Sequence, residues 1–274
     1  MTAIHPTTER VFDLVQIFYD NNPQIQASHG LKSHVLVVHY HAVQAVRACH
    51  PPLSAETAME IEVAALLHDV DDEKYFPKKN TSSSSTARYP NAESILRQAG
   101  LSPTSTTHGK SILFMIQLVS CSQNGNRVPG SIIESGDYHY LIPRWADRIE
   151  AVGTKGVLRC YQYNREHGHA LWSRHSPRPQ SETEMWQYAT PERFQAYQDR
   201  SGTSEDMISH YYDKLLVSAE VLLSHQCCWC WKMIVVSLSS CNEHSSHETS
   251  FDSFYSTSLA RPRRMSRMPI SNKS

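Results

Sequence analysis

The chain has 274 residues, enough for one large domain and an appendage. Its 40% hydrophobic and 19% charged residues are those of a globular protein and exclude wholesale disorder. Lys and Arg total 26 against 27 Asp and Glu, and this net charge of -1 argues against a protein dedicated to coating nucleic acid. There is no apolar run of 18 residues to span a membrane, and the opening MTAIHPTTERVFDLV lacks the apolar stretch of a signal peptide. With an odd count of seven Cys and no regular framework, the expectation is a cytoplasmic or nuclear chain without a membrane partner. The unusual figure is 16 His, which raises the prior for a metal site.

In chain order, the apolar spacing predicts one helix after another. Val11, Leu14, Val15 and Phe18 form an amphipathic stripe over Thr8 to Tyr19. Ser33 is placed to cap a helix from His34 to about Cys49, and Ser54 to cap AETAMEIEVAALLHDV. Asn91 to Gln98 is a short helix stopped by Gly100, Lys110 to Val119 an apolar one, and Pro143 to Val152 another closed by Gly153. Further helices are expected at Glu182 to Ala189, Pro191 to Asp199 and Ser204 to Ser224. Nothing alternates like a strand for long, so the fold class is all-α. Two segments read as loops: the Ser-rich Lys78 to Pro90, and Ser122 to Gly130 with its turn residues. The chain therefore divides into a domain over residues 1–224 and a low-complexity tail over 225–274, rich in Ser and holding four of the Cys. The CCWC run there lacks the C-x2-C spacing of a zinc site, and Arg261, Arg263 and Arg264 make at most a weak import patch.

The chemistry concentrates in Ala64-Ala65-Leu66-Leu67-His68-Asp69. Ile61, Ala64, Ala65 and His68 share a helix face, so the imidazole points into the core beside a carboxylate. Burying that pair costs several kcal/mol unless both are satisfied, and a metal ion satisfies both. On the dipeptide alone, a core His hydrogen-bonded to its neighbour's carboxylate is the better explanation. However, His34 opens an apolar helix in which Val38 and His41 share its face, and Asp147 sits inside the apolar IPRWADRIEAVG. Three helices thus bring His, His-Asp and Asp inward in that order.

This order resembles the HD-domain superfamily of metal-dependent phosphohydrolases, whose signature is H…HD…D on a helical bundle. The resemblance covers roughly residues 26 to 160 and is tightest at HGLKSHVLVV, AALLHDVDD and RWADRIEAVG. The last is similar to the ADRLDALG segment of small uncharacterised bacterial and fungal HD proteins. It implies that His34, His68, Asp69 and Asp147 hold a divalent ion, which this mixed N/O set leaves open among Mn, Mg, Fe, Co, Ni and Zn. The implied activity is hydrolysis of a small phosphorylated substrate, a phosphomonoester or nucleotide, through a metal-activated water. His108 and His139 lie between the HD pair and Asp147, but KSILFMIQLV carries no His, which disfavours a di-iron oxygenase. A non-catalytic metal- or nucleotide-binding protein is the other alternative.

Asp72 and Glu73 follow Asp69 at the positions of an acidic pair in the alarmone hydrolases of that superfamily, with the order of Glu and Asp swapped. They are the candidate general bases; if the helix continues, Asp72 lies over both His68 and Asp69 and is favoured. Lys74, Lys78, Lys79, Arg144 and Arg148 are the candidate cations for a substrate phosphate. The other His residues get plainer readings: His29 lines a pocket mouth, His39 and His41 pack or face solvent, and His167, His169 and His175 have no ligand spacing. Trp145, Trp172 and Trp186 are expected to anchor the core, and the segment from Tyr161 to Ser224, by resemblance, to roof the site.

Overall fold

The computed structural model describes residues 5–25, 27–77 and 88–219. Among them no strand occurs, so the protein is all-α. The expectations for the 225–274 tail, and for Lys78 and Lys79, lie outside the described residues. The helices run α1 Pro6–Asp20, α2 Leu36–Arg47, α3 Ala55–Leu67, α4 Pro90–Gln98, α5 Thr107–Val119, α6 Cys121–Asn124 and α7 Gly130–Ser135. They continue as α8 Ile142–Glu150, α9 Gly153–Glu166, α10 Glu182–Gln187, α11 Pro191–Asp199 and α12 Met207–His210.

Helix α3 is the axis of the molecule. Ser54 caps it, accepting from Thr57 N–H at 3.1 Å. Its Ile61, Val63, Ala64, Ala65, Leu66 and Leu67 are wholly buried, because α1, α2, α5 and α8 pack around it. Each of its larger aliphatic side chains stabilises the fold by about 1.5–3 kcal/mol. The predicted α1 stripe docks as expected, with Val11 and Val15 buried and Leu14 and Phe18 packed on the same core. Helix α2 meets α8 through His41, 2.9 Å from the buried Glu150.

Four expectations need correction. The helix of the HD pair stops at Leu67 rather than running to Val70: His68 caps it, its Nδ1 donating to the Ala65 carbonyl at 2.8 Å. The chain then turns, Asp72 N–H donating to the Asp69 carbonyl at 3.1 Å, so helical phase does not place Asp72. Ser33 lies inside a π-helical turn, Leu31–Val35, and Gly30 holds the cap position. Of the three tryptophans, Trp145 is buried, but Trp186 is at the surface and Trp172 is 63% exposed beneath the Arg178 guanidinium. Among the described residues, the C-terminal half has a small buried core of Ala189, Tyr212, Leu216 and Val217, too small to cover them.

Helix α9 was not foreseen. Gly153, at φ +65°, starts it, and a Cβ on Gly156 would stand 2.3 Å from the Ala151 carbonyl. That close turn sends α9 against the turn Ala27–His29 and α12 and carries Arg159 over the site.

Candidate metal centre

His34 enters from the turn before α2, His68 and Asp69 from the end of α3, and Asp147 from the middle of α8. The two Nε2 atoms of His34 and His68 are 3.1 Å apart. Asp69 Oδ2 is 3.2 Å from His34 Nε2 and 3.5 Å from His68 Nε2, and Asp147 Oδ1 is 3.6 Å from His34 Nε2. These separations have a simple meaning. Donors about 2.1 Å from one ion are about 3.0 Å apart when they subtend about 90° and about 3.6 Å apart at about 120°. These four separations match the edges of one coordination shell, and the 3.1 Å contact between the two rings is equally that of a hydrogen bond.

Proton positions follow from the partners. The Ala65 carbonyl assigns the His68 proton to Nδ1, leaving a lone pair on Nε2. The Arg159 guanidinium, which can only donate, meets His34 Nδ1 and assigns that ring's proton to Nε2. A single N–H therefore occupies the centre, shared toward His68 and Asp69. Burial lowers the His34 pKa, and the Arg159 charge lowers it further, so the ring stays neutral. Burial opposes ionisation of Asp147, yet Arg148 and the imidazoles of His34 and His68 outweigh it and hold the carboxyl below its usual range. Asp69 is likewise depressed: desolvation works against it, and His68 and His34 overcome that.

The acidic run after Asp69 splits by role. Asp71 caps α4 from a distance, accepting from Asn91 N–H and Ala92 N–H at 2.9 Å each. Asp72 accepts from Lys74 N–H at 3.0 Å and pairs with Lys74 Nζ at 3.3 Å, and its carboxylate lies within 4.8 Å of donors on Asp69 and His29. Glu73 is exposed at the rim, where Gln123 Nε2 reaches it at 3.4 Å.

Two of the expected phosphate cations are not available. Arg144 is fully buried and donates to the carbonyls of Gly125 and Arg127 at 2.6 and 3.1 Å, with Trp145 beneath it. Burial, then Arg148, lowers its pKa to about 10. Arg148 is 1% exposed and donates to Asp147 Oδ2 at 3.1 Å and Asn126 Oδ1 at 3.3 Å. It orients the Asp147 carboxylate instead of facing the cavity. The two share a helix face as expected, but that face meets the loop after α5, and neither lines the cavity. His108 pairs with Glu60 at 2.6 Å and His139 stacks on Tyr140, both away from the centre.

A cavity of about 220 Å³ opens over the four residues. Its cations are Lys74, Arg88, Arg159 and Lys214, and Tyr197 closes it from α11. Arg159 and Lys214 make no carboxylate ion pair among the described residues. Burial lowers the Lys214 pKa, partly countered by Cys121, while nearby Lys74 pushes it down again. Sequence reading missed both, because an Arg in GVLRCYQY and a Lys in YYDKLL carry no signal until α9 and the π-helical turn after α12 fold over the cavity.

No protein-family model matches the chain. It is 34% identical over 192 residues to an uncharacterized protein of Acanthamoeba polyphaga mimivirus, an alignment covering 67% of this chain and 72% of that one. The chain belongs to the family of that viral protein. A crystal structure of a Lactobacillus plantarum protein, a structural-genomics target, has a similar fold, with a TM-score of 0.53 at 18% identity. That match covers 94% of this chain and 100% of the other. No helix among the described residues is long and apolar enough to cross a membrane.

Proposed function

We propose that this protein is an HD-type, metal-dependent phosphohydrolase, cytoplasmic or nuclear, that cleaves a small phosphorylated substrate, a phosphomonoester or a nucleotide. The observation that carries the reading is the set of 3.1–3.6 Å spacings among His34, His68, Asp69 and Asp147, together with the H…HD…D order of those residues. A divalent ion held there would acidify a water and polarise a phosphoryl oxygen. Loading the centre requires both Nε2 lone pairs, so the His34 proton must move to Nδ1, and Arg159 then loses its acceptor on that ring. Its guanidinium, with Lys214 across the cavity, is left for the anionic group of a substrate. Asp72 is the carboxylate placed to take the proton from the attacking water, steadied by Lys74. Arg148 keeps Asp147 turned inward.

The test is metal analysis of the purified protein, followed by a panel of phosphomonoesters and nucleotides assayed with Mn²⁺. The expected result is hydrolysis that Asp69→Asn abolishes along with metal binding, while Asp72→Asn keeps the metal and loses about 10²- to 10⁴-fold in rate. Full activity in Asp72→Asn would pass the base to Glu73. Metal retained with no hydrolysis of any substrate would favour the non-catalytic alternative.

A further inference from the structure

A second donor set adjoins the first. His29, Asp69 and Asp72 each present a donor atom within 4.8 Å of the others. Asp69 belongs to both sets, since its Oδ2 also faces His34 and His68 at 3.2 and 3.5 Å. One carboxylate shared between two N/O sets is the usual means of bridging two divalent ions roughly 3.5–4 Å apart. His29 suits the part: it is 9% exposed, and its ring packs edge-on against that of His34 at 5.9 Å.

This second set already holds a cation. Lys74 Nζ lies 3.1 Å from His29 Nε2 and 3.3 Å from Asp72 Oδ2, above the Tyr163 ring at 5.3 Å. An ammonium only donates, so the lone pair of His29 is on Nε2 and its proton on Nδ1, 3.1 Å from Ser28 Oγ. Ser28 Oγ in turn donates to Glu166 Oε2 at 2.6 Å. The lone pair that a metal would take is thus aimed at the ammonium by a chain of hydrogen bonds reaching α9. Two of the three Lys74 N–H bonds serve His29 and Asp72, and Lys74 lines the cavity.

We propose that the Lys74 ammonium is a built-in replacement for a second metal ion, filling the position between His29, Asp69 and Asp72 and so keeping the centre mononuclear. The inference rests on reading His34, His68, Asp69 and Asp147 as the first metal site. It assigns Lys74 a double role, as the second positive charge beside the bridging carboxylate and as a donor to a substrate phosphoryl oxygen.

The test is a Mn²⁺ titration of the full chain, freed of metal, followed by calorimetry and electron paramagnetic resonance. Wild type and Lys74→Arg are expected to bind one ion per chain. Lys74→Ala and Lys74→Met are expected to bind two, the second weaker and magnetically coupled to the first. Adding His29→Ala to Lys74→Ala should return the count to one. A single ion in both Lys74→Ala and Lys74→Met, or two ions in wild type, overturns the replacement and leaves the first site standing. No ion in wild type removes the first site itself, and this inference falls with it. Lys74 is 44% exposed on its side chain, so these variants should fold, and far-UV circular dichroism gives the folded fraction for the count.

Discussion

The two halves of the cavity are built differently. The half that gathers His34, His68, Asp69 and Asp147 is rooted in helices α2, α3 and α8, whose packed faces are almost wholly buried. The half that supplies Arg159, Tyr197 and Lys214 comes from α9, α11 and the turn after α12, where a four-residue core is supplemented by ion pairs. Apolar burial is insensitive to what occupies the cavity. Ion pairs and a small core yield more easily. The difference assigns precision to one wall and adjustment to the other.

Substitutions can break this comparison. The largest effect is expected from Asp69→Asn, which should weaken Mn²⁺ binding by at least about 100-fold, since loss of even an outer-shell partner costs 10- to 100-fold. Lys214→Ala should leave Mn²⁺ binding intact and weaken inorganic phosphate binding by about 10-fold, measured by calorimetry. Equal loss of metal in both would erase the division between the walls. Next, Arg148→Met leaves the 20% exposed Asp147 carboxylate without its guanidinium partner and should cost about 1–3 kcal/mol in urea denaturation. On the other wall, Asp213→Asn disturbs pairs to Arg193 and Arg200 at 2.6 and 3.5 Å. Those arginines are 32% and 52% exposed and can hydrate, so only about 1–2 kcal/mol should be lost. Asp71→Ala, which uncaps α4, should cost about 1 kcal/mol.

The smallest effect is in the pH profile. Burial disfavours the Glu150 charge, but His41 holds its pKa below the ordinary 4.5. A folded pKa below the unfolded one contributes stability that is complete above the ordinary value and fades as pH falls through the folded value. Urea midpoints should therefore drop between about pH 5 and pH 3. His41→Ala should start lower at neutral pH and fall less over that window. An unchanged slope would show that this pair contributes nothing to the docking of α2 on α8.

The four clustered residues were legible in the sequence because each sits on a helix face whose neighbours are apolar: Ile61, Ala64 and Ala65 before His68, Val38 after His34, and Trp145 and Ala146 before Asp147. Such a pattern fixes direction relative to the core. It says nothing of what lies beyond that face, and so Arg144 and Arg148 were read as substrate cations when their guanidinium groups are used on backbone carbonyls and Asp147. Asp72 was placed by extending a helix that a side-chain hydrogen bond from His68 ends. Arg159 and Lys214 depend on the turn that Gly153 and Gly156 make, a long-range closure with no local period to reveal it. Lys74 was visible as a cation, but its partner His29 is 45 residues away in sequence and met it only in three dimensions.

The bond from His68 Nδ1 to the Ala65 carbonyl has a consequence beyond the site. It consumes one of the open carbonyls at the end of the most deeply buried helix, and the same bond orients the ring for ligation. Ring orientation and helix termination are therefore a single event, and ligand binding at Nε2 acts on the last turn of α3. By mass action, an ion present at 100 times its dissociation constant adds about 2.7 kcal/mol to whatever unfolds with that helix. Because α1, α2, α5 and α8 all lean on α3, that increment is shared by the whole bundle. A chelator should accordingly lower the melting temperature of the entire N-terminal half in one cooperative step, with no separate local transition at the site.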